Sequence, residues 1–235
     1  MNQPVIRRVS ELDLTFEPWA WPFAAENREA IADIFAAQRR LKPALFNGRV
    51  LLMRNPEVVG QTLTGRYFET DFATYMTWRE FGFPDDGTYS GFGMGALRDP
   101  DGIYVMGEMS AHTANAGRVY FPSGTPDPSD LVGSRVDIAA SIVREVEEET
   151  GLTPAEYDAV PGYHCVISKP AIAIIQVLEL KALAAVVKQT ILANIARDNQ
   201  PEFSDVHLIR DAGDIVPSMP RYVAAFIREM SVVEP

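Results

Sequence analysis

Apolar positions recur at helical spacing in some stretches of the chain and alternate or run together in others. Residues 26–42, ENREAIADIFAAQRRLK, put Ile31, Ile34, Phe35 and Leu41 at helical periodicity. LFNGRVLLMRN turns at Asn47-Gly48 and continues as a strand. RYFETDFATYMTWREFGF (66–83) is rich in aromatics and reads as a strand leading into a helix. PDDG at 84–87 marks a loop and a region boundary. Beyond it, YSGFGMGALRD and IYVMGEM flank the turn DPDG as two strands, and GRVYFPSG is a short strand entering a loop. TPDPSDLVGSR (125–135) is a long polar loop, and VDIAASIVREVEEETG is a helix with Asp137 as its N-cap and Gly151 as its stop. AIAIIQVLEL (171–180) reads as a buried strand, LKALAAVVKQTILANIARD (180–198) as an amphipathic helix, DVHLIRD as a last strand and PRYVAAFIREM as a closing helix. The first 25 residues, with EPWAWPF, suggest an irregular arm. Strands and helices mix without strict alternation, which predicts an α+β, sandwich-like layout.

Composition narrows the function classes. The 235 residues are 47% hydrophobic and 23% charged, as in ordinary globular proteins, and the net charge is −11. Such a charge repels phosphate backbones, so no nucleic-acid polymer is expected as a partner. An anionic substrate would need a cation to mediate its binding. The single cysteine, Cys165, excludes an intrachain disulfide and fits a reducing compartment; in HCVI it reads as a small core residue. Neither a signal peptide nor a window of ~20 apolar residues is seen, so the expectation is a cytoplasmic protein with no membrane partner.

The helix ending in REVEEETG (144–151) carries an unusual load of negative charge. With each residue advancing about 100°, Ile138 and Val146 fall within roughly 40° of Ile142 and form the inward stripe. Glu149 falls about 20° from Ile142, Glu145 about 60° and Glu148 about 120°, with Glu147 on the solvent side. Glu145, Glu148 and Glu149 are thus an i, i+3, i+4 set starting at the buried edge. Like charges at that spacing cost a few tenths of a kcal/mol each. Burial without a partner costs more, and the helix C-terminus disfavours negative charge. A solvated acidic face is the plain alternative, but neutralisation by a hard divalent cation accounts for all three penalties.

Arg144-Glu145-Val146-Glu147-Glu148-Glu149-Thr150-Gly151-Leu152 matches REUxEExGU, where U is aliphatic, and so resembles the second half of the Nudix box. Pro122-Ser123-Gly124 resembles the PGG that opens the box. The resemblance covers roughly residues 88–230. It implies a Nudix-type α/β/α sandwich with a mixed sheet over 88–235, preceded by an N-terminal accessory region at 1–87. The first half departs from the family form Gx5Ex7REUxEExGU: Val136 stands where a Glu belongs and Asp130 where the Gly belongs. An insertion of about six residues in the loop follows, and Asp137 could substitute for the missing acid or be only the N-cap. The resemblance implies Mg²⁺ (or Mn²⁺) held by Glu145, Glu148 and Glu149, with Glu148 also catalytic and Arg144 supporting helix and loop. It implies a general base from the box or a later loop. Glu202 is the best later candidate, with Glu179 and Asp205 behind it.

Other residues weigh less. Gly124 would let the loop backbone approach substrate, and Arg118 is a candidate anion-binding group in an acidic protein. His112, with Thr113 and Asn115, could bind substrate but reads better as part of a connecting loop. His164 and His207 read as structural. Tyr67, Phe68, Phe72, Tyr75 and Trp78 could stack on a base, but aromatics so spaced more often form core. ALFNGRVLL faintly resembles the leading region of Nudix enzymes that cleave UDP-sugars. The implied activity is hydrolysis of a nucleoside diphosphate derivative, a nucleotide sugar or similar, to a nucleoside monophosphate plus a phosphorylated remainder. The alternatives are a non-catalytic Nudix-fold nucleotide sensor and a purely structural acidic helix. The N-terminal region could form a homodimer surface, a substrate lid or both.

Overall fold

The computed structural model describes residues 3–43, 45–85 and 87–233. The chain opens with two strands, β1 (Val5–Val9) and β2 (Glu11–Phe16), where an irregular arm was expected. In the second, Leu12, Leu14 and Phe16 alternate with polar residues and Leu14 is buried, as a strand with one packed face requires. The prolines and aromatics of EPWAWPF lie mostly past it, leading into α1 (Pro22–Glu26) and α2 (Arg28–Leu41). β3 (Arg49–Val59) and β4 (Thr62–Asp71) pair antiparallel around Gly60, whose φ of 61° suits a glycine. α3 (Phe72–Glu80) follows at once, with the Asp71 carboxylate accepting from the Thr74 N–H at 2.8 Å. The Asn47-Gly48 turn packs on the same helix start: Asn47 Oδ1 accepts from the Ala73 N–H at 2.7 Å.

β5 (Thr88–Arg98) and β6 (Tyr104–Met109) form the expected hairpin, with Asp99 accepting from the N–H groups of Asp101 and Ile103. β7 (Val119–Tyr120) and β8 (Ser123–Gly124) lead into the polar loop. That loop is more ordered than the sequence suggests, containing a 3₁₀ turn at Pro128–Asp130 and a small pair, β9 (Leu131–Val132) and β10 (Arg135–Val136). Then come α4 (Ile138–Thr150), β11 (Tyr157–Ala159), β12 (Tyr163–Ser168), β13 (Ala171–Leu180), α5 (Ala184–Ile195), β14 (Phe203–Ile209) and α6 (Arg221–Val233).

The strands join into one mixed network. β13 runs parallel to β5 at its centre, while β12 and β11 flank β13 antiparallel. β1 adds to β12, and β3 continues from β5 to β4 and β2, so residues before and after 87 share hydrogen-bonded strands. β13 is nearly continuous in apolar residues because both of its faces are covered. Ile172, Ile174 and Leu178 face one core with Ile138, Ile142 and Val146 of α4 and Val187 and Ile191 of α5. Ala173, Ile175 and Val177 face the other, with Phe121, Val223 and Phe226. The α+β sandwich with a mixed sheet expected from the sequence is thus present, with helices on both faces. A third cluster holds Trp21, Leu52, Phe68 and Trp78, with both indole N–H groups donating to Asp85.

Two glycines of GFGMG set the distance between α4 and the sheet. A Cβ on Gly93 would come within 2.6 Å of Ile142, and one on Gly95 within 2.6 Å of Val146. No helix among the described residues is long and apolar enough to cross a membrane.

Candidate functional site

α4 brings the acidic residues to the sheet where β8 ends. Asp137 caps its start by accepting from the Ala140 N–H at 3.0 Å, and Gly151, at φ 74°, ends it with an N–H donated to Glu147 O. The inward stripe of Ile138, Ile142 and Val146 is fully buried. It carries Glu149 inside with it, 5% exposed, where the carboxylate accepts the Ser123 N–H at 2.9 Å. The Glu145 side chain is 12% exposed and that of Glu148 58%, so the gradient follows the helical angles. Glu147 is exposed.

Gly124 lies directly against this helix. A Cβ there would collide with the carboxylate of Glu145, so a side chain at 124 and the observed place of Glu145 are incompatible. Arg144 holds the rest together. Its guanidinium reaches Asp130 at 3.1 Å, Glu145 at 2.8 Å and Glu148 at 3.2 Å. Asp130 is the residue sequence reasoning passed over. It is 5% exposed and accepts from the Asp127 N–H, from the Ser141 hydroxyl and from Arg144. Val136 is buried and apolar, and the Asp137 carboxylate caps α4, so the acid that meets Arg144 comes from the loop before α4. The signal was present as D-P-S-D: Asp127 and Asp130 close a capping box that turns Asp130 inward.

The carboxylates shift one another. Burial pushes Glu145 up to about 7, with Glu148 and Glu202 adding to the rise and Arg144 opposing it. Burial holds Glu149 well above the usual range, helped by Glu145 and Glu202 and opposed by the Ser123 N–H. Glu202 is raised by partial burial and then by Glu148, against His112. Glu202 therefore shares the field of the α4 carboxylates from another part of the chain. Backbone bonds fix its position: Ser110 N–H donates to Glu202 O at 2.7 Å and the Ser110 hydroxyl to Pro201 O at 2.7 Å. This ties the loop of His112, Asn115 and Arg118 to that of Glu202. Glu179 instead pairs with Arg98 at 3.0 Å, and Asp205 accepts from the Val206 N–H. His207 pairs with Glu108, and His164 packs edge-on to Phe226, its pKa lowered by burial. Cys165 is buried, its thiol pushed up to about 12 by burial.

A hard divalent ion suits this donor set on its chemistry. The donors are all carboxylate oxygens, and Glu149 is almost fully buried with a single N–H partner. Among the described residues, Arg144 is the one cation bonded to the cluster. Among the described residues, no three acidic, imidazole or thiol side chains converge in ion-binding geometry; Glu145 and Glu148 are turned onto Arg144.

No family model matches the chain, and no curated protein matches it. Among solved structures it is similar to the MutT protein of Methanosarcina mazei Go1, at 17% identity over 62% of this chain and 94% of that one, with a TM-score of 0.37. It is similar to RenU, a Nudix hydrolase from M. Smegmatis, at 13% identity over 64% and 93%, with a TM-score of 0.40. Shewanella oneidensis NrtR matches at 15% identity over 60% and 61%, with a TM-score of 0.39, and that protein is also known complexed with a 27mer DNA. These are likenesses at low identity.

Proposed function

We propose that this chain is a divalent-metal-dependent hydrolase of the phosphoric anhydride bond in nucleoside diphosphate derivatives, releasing a nucleoside monophosphate and a phosphorylated remainder. The observation that carries it is the set of Glu145, Glu148, Glu149 and Glu202, drawn into one field against a loop glycine and under-compensated by a single arginine. Glu145, Glu148 and Glu149 would hold Mg²⁺ or Mn²⁺. Bound there, such an ion would offset charge on the phosphate oxygens and acidify the attacking water. Glu202, with its raised proton affinity, would accept the water's proton. Arg144 orients Glu145 and Glu148, and Gly124 leaves room for the diphosphate to pass close to them. Arg118, in the loop that Ser110 ties to Glu202, would supply positive charge to the anionic substrate.

Two expected results bear on this function. Gly124→Ala should push Glu145 out of place and lower kcat/KM by up to about 100-fold, since a misplacement of about 1 Å is enough for such a loss. Steady-state kinetics with parallel thermal melts would check it, and unchanged kinetics would separate Gly124 from the reaction. The second is linkage between metal and pH. Glu145 is raised to about 7 and Glu149 well above its ordinary value, so the stability they contribute is fully present below about 4.5 and is lost as pH rises through their folded-state values, about 7 for Glu145. A divalent ion replaces the protons and restores that loss. The rise in Tm on adding Mn²⁺ should therefore be larger at pH 8 than at pH 5.5. An equal rise at both, or none, would argue against an ion on these carboxylates.

A second function, a nucleotide sensor without turnover, is favoured by Arg144 already occupying Glu145 and Glu148. Nucleotide binding with no hydrolysis at any divalent concentration would support it.

A further inference from the structure

A cleft of about 220 Å³ opens between α3 and β8, lined by Tyr75, Arg79, Phe92, Asn115, Gly124 and Tyr222 among others. It draws on both ends of the chain: Tyr75 and Arg79 come from α3, Tyr222 from α6. The Phe92 and Tyr222 rings meet edge to face at 5.5 Å, and the Arg79 guanidinium stands 5.8 Å over the Tyr75 ring. The positive charges of Arg79 and Arg118 counter the rise in the Tyr222 pKa, which comes first from burial and then from Tyr75; of the two, Arg79 lines the cleft. Among the described residues Arg79 forms no ion pair, so its guanidinium remains open to an anion. Asn115 donates to the Tyr120 hydroxyl at 3.2 Å, which keeps an amide edge at the cleft wall. Gly124 belongs to both sites: it lines this cleft and abuts Glu145.

We propose that this cleft binds the nucleoside end of the substrate, with a planar base against Tyr75, Phe92 and Tyr222 and the adjacent phosphate met by Arg79. Its volume is below the roughly 300–1,000 Å³ of sites that take a whole ligand, so it suits one end of a longer molecule. Aromatic faces with a few polar groups bind bases by stacking, and guanidinium groups suit phosphate. The diphosphate would then cross Gly124 to the carboxylates, and for that path alone the assignment rests on the hydrolase function proposed above. α3 is in this way part of substrate recognition, and α2 and β4 buttress it from behind.

Calorimetric binding in EDTA, which excludes hydrolysis, tests the cleft separately from the reaction. The probes are AMP, UMP, CMP, GMP and ribose 5-phosphate, titrated into the full chain and into its Arg79→Ala, Arg79→Lys and Tyr75→Ala variants. At least one nucleoside monophosphate should bind at least about tenfold tighter than ribose 5-phosphate. Arg79→Ala should weaken it at least about tenfold, with Arg79→Lys in between and Tm unchanged. Tyr75→Ala should narrow the gap between base-bearing and base-free probes. Equal binding of ribose 5-phosphate, no binding of any monophosphate, or full affinity in both alanine variants would overturn the assignment. Binding that follows this pattern in a protein that hydrolyses nothing would leave the cleft standing and remove the hydrolase. Hydrolysis with unchanged KM in Arg79→Ala would do the reverse.

Discussion

Glu148→Gln is expected to lower kcat for hydrolysis of the nucleoside diphosphate substrate by about 10²–10⁴-fold while moving Tm by no more than about 2 °C. The two halves of that result come from where the side chain sits. Glu148 is more than half exposed, and its bond to Arg144 at 3.2 Å is an i, i+4 pair on the helix surface. Such pairs contribute about 0.3–0.5 kcal/mol, and glutamine can still accept from the guanidinium. The fold therefore has little use for the charge. The chemistry proposed for Glu145, Glu148 and Glu149 has every use for it, since a neutral amide neither offsets a divalent ion nor repels its neighbours into place. A mutant that kept wild-type turnover would remove Glu148 from the reaction. One that lost many degrees of Tm would make the residue structural.

Arg144→Ala should show the opposite balance, destabilising the protein by about 3 kcal/mol, or roughly 6–12 °C in a chain of this size. Asp130 is buried and keeps only the Asp127 N–H and the Ser141 hydroxyl when the guanidinium is gone. Glu145 would lose its cation partner among the described residues as well, so proton uptake by these acids would replace ion pairing. The double variant Arg144→Ala with Asp130→Ala should recover much of the loss, because the penalty lies in the stranded charge and not in the missing contact. Chemical denaturation of the wild type, both single variants and the double variant closes the cycle. Additive losses would mean that Arg144 and Asp130 do not act as a pair.

How far the sequence carried the structure differs from residue to residue. α4 was legible down to the order of burial of its glutamates, because a helix converts spacing into angle without help from the rest of the chain. β13 was legible because a strand covered on both faces is apolar almost throughout. β1 was not. It pairs with β12 more than 150 residues away, and its exposed Val5 and two arginines give no periodic signal. β2 did alternate, but the prolines beyond it dominated the reading. At the site, Glu145 and Glu149 could be placed from the helix alone. Asp130 could not, because counting along the chain measures contour and the inserted loop folds Asp130 back onto Arg144. Arg79 was beyond reach for the same reason: only the packing of α3 beside β5 and α6 brings it to the cleft.

The most direct test of the account is a hydrolysis screen of the wild-type chain. Nucleotide sugars, ADP-ribose, dinucleotides and coenzyme A derivatives would be supplied with Mg²⁺ or Mn²⁺, and the products read as nucleoside monophosphate plus phosphorylated remainder. Turnover of at least one substrate class, abolished by EDTA, is the predicted result. No turnover of any of them with either ion, in a protein that still binds nucleotide, would contradict it.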